Sequence, residues 1–80
     1  MRIIIRNLES NTTEADVQAM LADCGEVTVN QVKAVVQQGT GRITACAYLV
    51  ADERVTGEAV ITKLHDTERS GTRISVKELR

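Results

Sequence analysis

The scarcity of large aromatic side chains constrains this chain more than any other feature: Phe and Trp are absent, and Tyr48 is the one Tyr among 80 residues. A chain of this length makes one domain, residues 1–80, close to the smallest size that folds without disulfides or metal. Its core must therefore be aliphatic, built from Ile, Val, Leu, Ala and Met, and thin enough to imply marginal stability. Cys24 and Cys46 lie far apart and form no CxxC or Cys/His ligand pattern, so free thiols are expected, with no metal, redox motif or cofactor. The triplet Ile3-Ile4-Ile5 between Arg2 and Arg6 is too short for a signal peptide or a membrane span, and a cytoplasmic protein, or a nuclear one in a eukaryotic cell, is the expectation.

Apolar periodicity orders the elements. Ile3-Ile4-Ile5, β-branched and closed by Asn7, reads as a buried strand. Thr13-Glu14-Ala15-Asp16 has capping-box spacing, and Val17, Met20 and Leu21 then form one helical stripe that Gly25 stops, so the first helix is expected to end near Cys24. Val27 to Val36, rich in Val with polar residues interleaved, favours a strand. After the turn Gln37-Gln38-Gly39-Thr40-Gly41, a third strand runs from Ile43 to Ala51, with Ala45, Ala47 and Leu49 alternating with Thr44, Cys46 and Tyr48. Val60, Ile61 and Leu64 mark a second helix at about 53–64. A polar loop from Asp66 to Gly71 leads to a last strand, Thr72 to Lys77, with Ile74 and Val76 inward. The order βαββαβ predicts an α+β fold, a ferredoxin-like sandwich with two helices on one face of a four-stranded antiparallel sheet. The other sheet face is left open.

Strand alternation assigns to that open face Arg2, Ile4 and Arg6 from the first strand, Thr44, Cys46 and Tyr48 from the third, and Arg73, Ser75 and Lys77 from the last. Lys33 joins them from the second strand, in a register where a slip of one residue would reverse the assignment. Five of the ten Lys and Arg residues thus fall in strands. Glu14, Asp16 and Asp23 fall in the first helix, Glu53 and Glu58 in the second, and no acid inside a predicted strand. A chain of net charge −1 can therefore carry a positive sheet and negative helices, and such a sheet attracts a polyanion. The competing reading is that strand cations serve solubility and edge protection.

Ile3-Ile4-Ile5-Arg6-Asn7-Leu8 looks like the short ribonucleoprotein motif of the RNA recognition motif family, an apolar strand ending in Asn-Leu. Thr12 to Val17 is similar to that family's entry into the first helix, and Cys24-Gly25-Glu26-Val27 to its turn into the second strand. Thr44 to Ala51 takes the place of the longer octamer motif, while Ala59 to His65 and Gly71 to Val76 complete the pattern over nearly the whole chain. The resemblance implies the same fold and a sheet face that binds single-stranded RNA, or single-stranded DNA, through stacked rings and cations. Family rings usually stand where this chain has Ile4, Cys46 and Tyr48, and only Tyr48 matches. The octamer's basic first residue is Thr44 here and its Gly is Ala45, with Arg42 two residues earlier as a phosphate contact. A stacked ring contributes roughly 1–3 kcal/mol per base, so two missing rings weaken single-strand binding by on the order of 2–6 kcal/mol.

The expected RNA-binding set is Arg2, Ile4, Arg6, Asn7, Lys33, Arg42, Cys46, Tyr48, Arg73, Ser75 and Lys77. Asn7 has a second reading, as a residue that stabilises its own turn. Ile4, Cys46, Tyr48 and Val50 together make an alternative apolar patch for a protein partner or self-association. His65, with no nucleophile or acid beside it in any catalytic pattern, reads as a helix-end residue interacting with the last carbonyls, and Cys24 as a small core residue. Gly39-Thr40-Gly41-Arg42 lacks phosphate-loop spacing and reads as a mobile loop between strands.

Overall fold

The structure is a computed structural model that describes residues 1–79. Its elements are β1 (Arg2–Leu8), α1 (Glu14–Met20), β2 (Val27–Val36), β3 (Ile43–Ala51), α2 (Arg54–Leu64), the short strands β4 (Glu68–Arg69) and β5 (Thr72–Arg73), and β6 (Ser75–Leu79). Strands β2, β3, β1 and β6 make an antiparallel sheet in that order, and β4 pairs with β5 in a separate hairpin. The ferredoxin-like α+β architecture expected from the residue pattern is the one observed.

Two bulges decide which side chains meet. In β1, Ile5 stands opposite Ala47 and Leu8 opposite Ala45, so Arg6 and Asn7 share the single partner position of Cys46. Asn7 takes a positive φ of 69°, a conformation Asn tolerates better than most residues. The strand accordingly runs past Asn7 to Leu8 and turns both Ile5 and Leu8 to the core, although their spacing of three would put them on opposite faces of a regular strand. In β2, Val29 stands opposite Leu49 and Gln31 opposite Tyr48, leaving Asn30 as the extra residue. Val27 and Val29 face the helices before this bulge and Val32 after it.

The core is aliphatic throughout. Ile3, Ile5, Leu49, Ala47 and Val76 from the sheet pack with Val17, Met20 and Leu21 from the first helical segment and Val60 and Leu64 from α2. Thr13 caps α1: its hydroxyl accepts from the Asp16 N–H at 3.2 Å, and its own N–H donates to the Asp16 carboxylate at 3.0 Å. That helix ends at Met20 rather than near Cys24. Beyond it the backbone tightens, with the N–H groups of Ala22 and Cys24 donating three residues back to Ala19 and Leu21, and Gly25 then reverses the chain at φ 106°. Helix α2 occupies the expected segment, with Glu53 as its N-cap. Its Gly57 lets Met1 lie against the helix, where a Cβ would collide with the Met1 sulfur.

The C-terminal segment departs most from expectation. Ser70 and Gly71 both have positive φ, 52° and 78°, which is the geometry of a two-residue hairpin turn. The predicted loop and last strand therefore form the β4–β5 hairpin first, and only Ser75 to Leu79 enter the main sheet. This extension places Glu78 inside a strand, on the helix side opposite Ile3, where its carboxylate accepts from Arg54 of α2 at 3.1 Å. The hydrogen bond to Glu78, and then that carboxylate's charge, raise the Arg54 pKa above the usual arginine value. His65 caps α2, but its ring does not serve the helix carbonyls: Nδ1 accepts the Val76 N–H at 3.1 Å and so satisfies one backbone donor of β6.

Candidate nucleic-acid interface

The open face is organised in rows across β2, β3, β1 and β6. One row is Gln31, Tyr48, Ile4 and Lys77; the next is Lys33, Cys46, the Arg6–Asn7 bulge and Ser75; on the other side lie Thr28, Val50, Arg2 and Leu79. The bulge at Asn30 puts Lys33 opposite Cys46, in the register expected of it. A shallow trough of about 400 Å³ runs along this face, with Ile4, Cys46 and Thr44 as its floor, Tyr48 and Lys33 at one end, and Asn7 and Gln37 at the other.

The floor is more closed than an exposed sheet face suggests. Ile4 is 4% exposed, Cys46 5% and Thr44 5%, so their surfaces are covered by the longer side chains around them, while Tyr48 is half-buried. Small residues at two of the three ring positions sink the middle of the face instead of raising a platform. The Tyr48 ring is met by an ammonium: Lys33 Nζ lies 5.3 Å from its centroid.

Arg2, Arg6, Lys33 and Lys77 stand on this face without an ion pair among the described residues. No acid shares their rows. The described ion pairs all lie elsewhere: Arg54 with Glu58 and Glu78, Lys63 with Asp23, and Arg73 with Asp66. Among the described residues the face is thus positive with no acid to offset it, which suits it to a polyanion.

Two expected site residues are placed differently. Arg73 is not on the sheet face: it belongs to the β4–β5 hairpin, where its guanidinium donates to the Asp66 backbone carbonyl and pairs with the Asp66 carboxylate at 3.3 Å. The turn at Ser70-Gly71 removes it from the row that strand alternation assigned. Arg42 reaches the same hairpin and donates to the Thr72 hydroxyl at 3.0 Å, beside the trough rather than over it. Asn7 fastens the site's far end, donating to the Arg73 carbonyl at 2.8 Å and accepting from the Gln37 side chain at 3.2 Å, so its side chain ties two distant segments together rather than bonding within its own turn. The segment Gln37 to Arg42 is closed by backbone hydrogen bonds of 2.8 and 3.0 Å.

Val35 and Gln37 line the trough and Gln31 stands opposite Tyr48, and none of the three was among the expected residues. The signal that would have placed them is strand alternation from Lys33, which assigns 31, 35 and 37 to the same face.

No protein-family model matches the chain. Among curated proteins it is 35% identical over 78 residues to the RNA-binding protein RbpD of Nostoc sp. (strain PCC 7120), covering 98% of this chain and 81% of that one. Among solved structures it superposes on RNA-binding protein PG1 with a TM-score of 0.72 and 25% identity, covering 99% of this chain and 93% of that one. The Rna15 RNA recognition motif with a bound GU RNA gives a TM-score of 0.72 at 13% identity over 98% of this chain and 81% of that one, a likeness of fold. Together with the element order, the sheet topology and the Asn-Leu end of β1, these relations establish that the chain belongs to the RNA recognition motif family.

Proposed function

We propose that this protein is a non-catalytic module that binds single-stranded RNA across the open face of its sheet, weakly and with modest sequence preference. The observation that carries the reading is the set of four cations without ion pairs among the described residues, Arg2, Arg6, Lys33 and Lys77, around one tyrosine on a face with no acid in its described rows. Charge supplies most of the attraction and reads no sequence, while one ring in place of three limits stacking. The name of the Nostoc relative and the RNA bound to the Rna15 domain support the choice of RNA. The near-complete burial of Ile4 and Cys46 weighs against the alternative of a protein-binding patch on the same residues.

A titration of a short single-stranded RNA at several salt concentrations tests the reading. Single-strand binding loses about 0.7 log units of affinity per log unit of salt for each neutralised phosphate, so engagement of the four cations gives a slope of roughly −2 to −3. Tyr48→Leu is expected to lower affinity by about 1–3 kcal/mol, roughly 5- to 150-fold, with the slope unchanged. An affinity that ignores both salt and Tyr48 would remove the proposal. Single-stranded DNA of the same sequence, and light scattering for self-association, complete the comparison.

A further inference from the structure

The contact between Lys33 and Tyr48 carries a consequence for what the open face accepts. Lys33 Nζ stands 5.3 Å from the ring centroid, within the range where a cation is held by the negative face of an aromatic ring. Lys33 comes from the cross-strand position beside Cys46, diagonal to the Gln31–Tyr48 pair, and it makes no ion pair among the described residues. An ammonium and a nucleobase cannot occupy the same ring face. Any base that stacks there must first move the lysine aside, and the flexible four-carbon stem lets it move without disturbing β2.

Resting on the RNA-binding reading above, we infer that Lys33 is a displaceable cover on Tyr48. In the free protein its ammonium occupies the stacking face; when a strand binds, the base takes the ring and the ammonium passes to a backbone phosphate. One side chain thereby couples stacking to backbone charge. A ligand that brings both a base and a phosphate regains in the second contact what it displaces in the first. A flat ligand without backbone charge displaces the lysine and offers it nothing, so the cover selects a nucleic-acid strand over uncharged aromatic molecules. The lysine accordingly sets ligand specificity as well as contributing charge.

The two roles have opposite signs in a single substitution. Lys33→Gln removes the cover and the charge together, and Tyr48, the chain's only Tyr in a sequence without Trp, reports binding through its fluorescence. For a methylphosphonate-linked oligonucleotide, which has bases and no backbone charge, the variant is expected to bind about 2- to 5-fold more tightly than the original protein, the size of an exposed cation–ring contact. For the phosphate-linked RNA of the same sequence it is expected to bind more weakly at low salt, with a salt slope shallower by about 0.7. In the free protein the Lys33 ε-methylene protons should resonate upfield through the ring current, and Tyr48→Leu should abolish that shift. Loss or constancy of affinity for both ligands in Lys33→Gln, or an ε-methylene shift indifferent to Tyr48→Leu, overturns the inference. Failure of the underlying reading has a different signature, since the original protein would then bind no RNA at low salt while the Lys33 shift still responded to Tyr48→Leu.

Discussion

The two faces of the sheet are built from the same strands and make opposite use of small aliphatic residues. On the helix side, Ile3, Ile5, Ala47 and Leu49 are at most 1% exposed because two helices cover them. On the other side, Ile4 and Cys46 reach 4% and 5% with no helix above them. There the cover comes from side chains of the neighbouring strands, with Tyr48 opposite Ile4 and Lys33 opposite Cys46. One face is closed by backbone elements and the other by side chains, so the first determines whether the chain folds and the second what it meets.

The largest expected effect should break the helix face alone. Leu49→Ala removes a fully buried side chain opposite Ile3 and is expected to cost about 2–5 kcal/mol of stability in a denaturant titration, a large share of what an 80-residue domain has. An intermediate effect should sharpen the open face. Cys46→Phe restores a ring at the floor of the trough, and RNA affinity is expected to rise by about 1–3 kcal/mol, with a change in melting temperature smaller than that of Leu49→Ala. The smallest effect separates stability from binding: Thr13→Ala removes the α1 cap, costs about 1 kcal/mol in the same denaturant titration, and leaves RNA affinity unchanged.

The element order was legible because it rests on local periodicity: the Val17, Met20 and Leu21 stripe, the alternation from Thr44 to Leu49, and the Thr13–Asp16 box all survive in the structure. What was not legible depends on distant partners. The bulges at Asn7 and Asn30 exist because β1 and β2 must each align with β3, and no local pattern around Asn7 announces that Leu8 will turn back to the core. The same holds for Arg73. Its place in a strand followed from alternation, yet Ser70-Gly71 forms a tight turn that carries it to Asp66 and away from the sheet. Helix α1 stopped short for a related reason: three-residue hydrogen bonds tighten the chain beyond Met20 before Gly25 reverses it. Within the candidate site, Arg2, Ile4, Arg6, Lys33, Cys46, Tyr48, Ser75 and Lys77 occupy the expected face, whereas the depth of its floor came from packing that a residue list does not contain.

The division of labour between the faces is tested most directly by mapping amide chemical shifts while a short single-stranded RNA is added at low salt. The account predicts that the signals of Arg2, Ile4, Lys33, Cys46, Tyr48 and Lys77 move together with one binding curve, while those of Glu14 to Met20 and Arg54 to Leu64 stay in place. Shifts centred on the two helices, or none on the sheet, would contradict it.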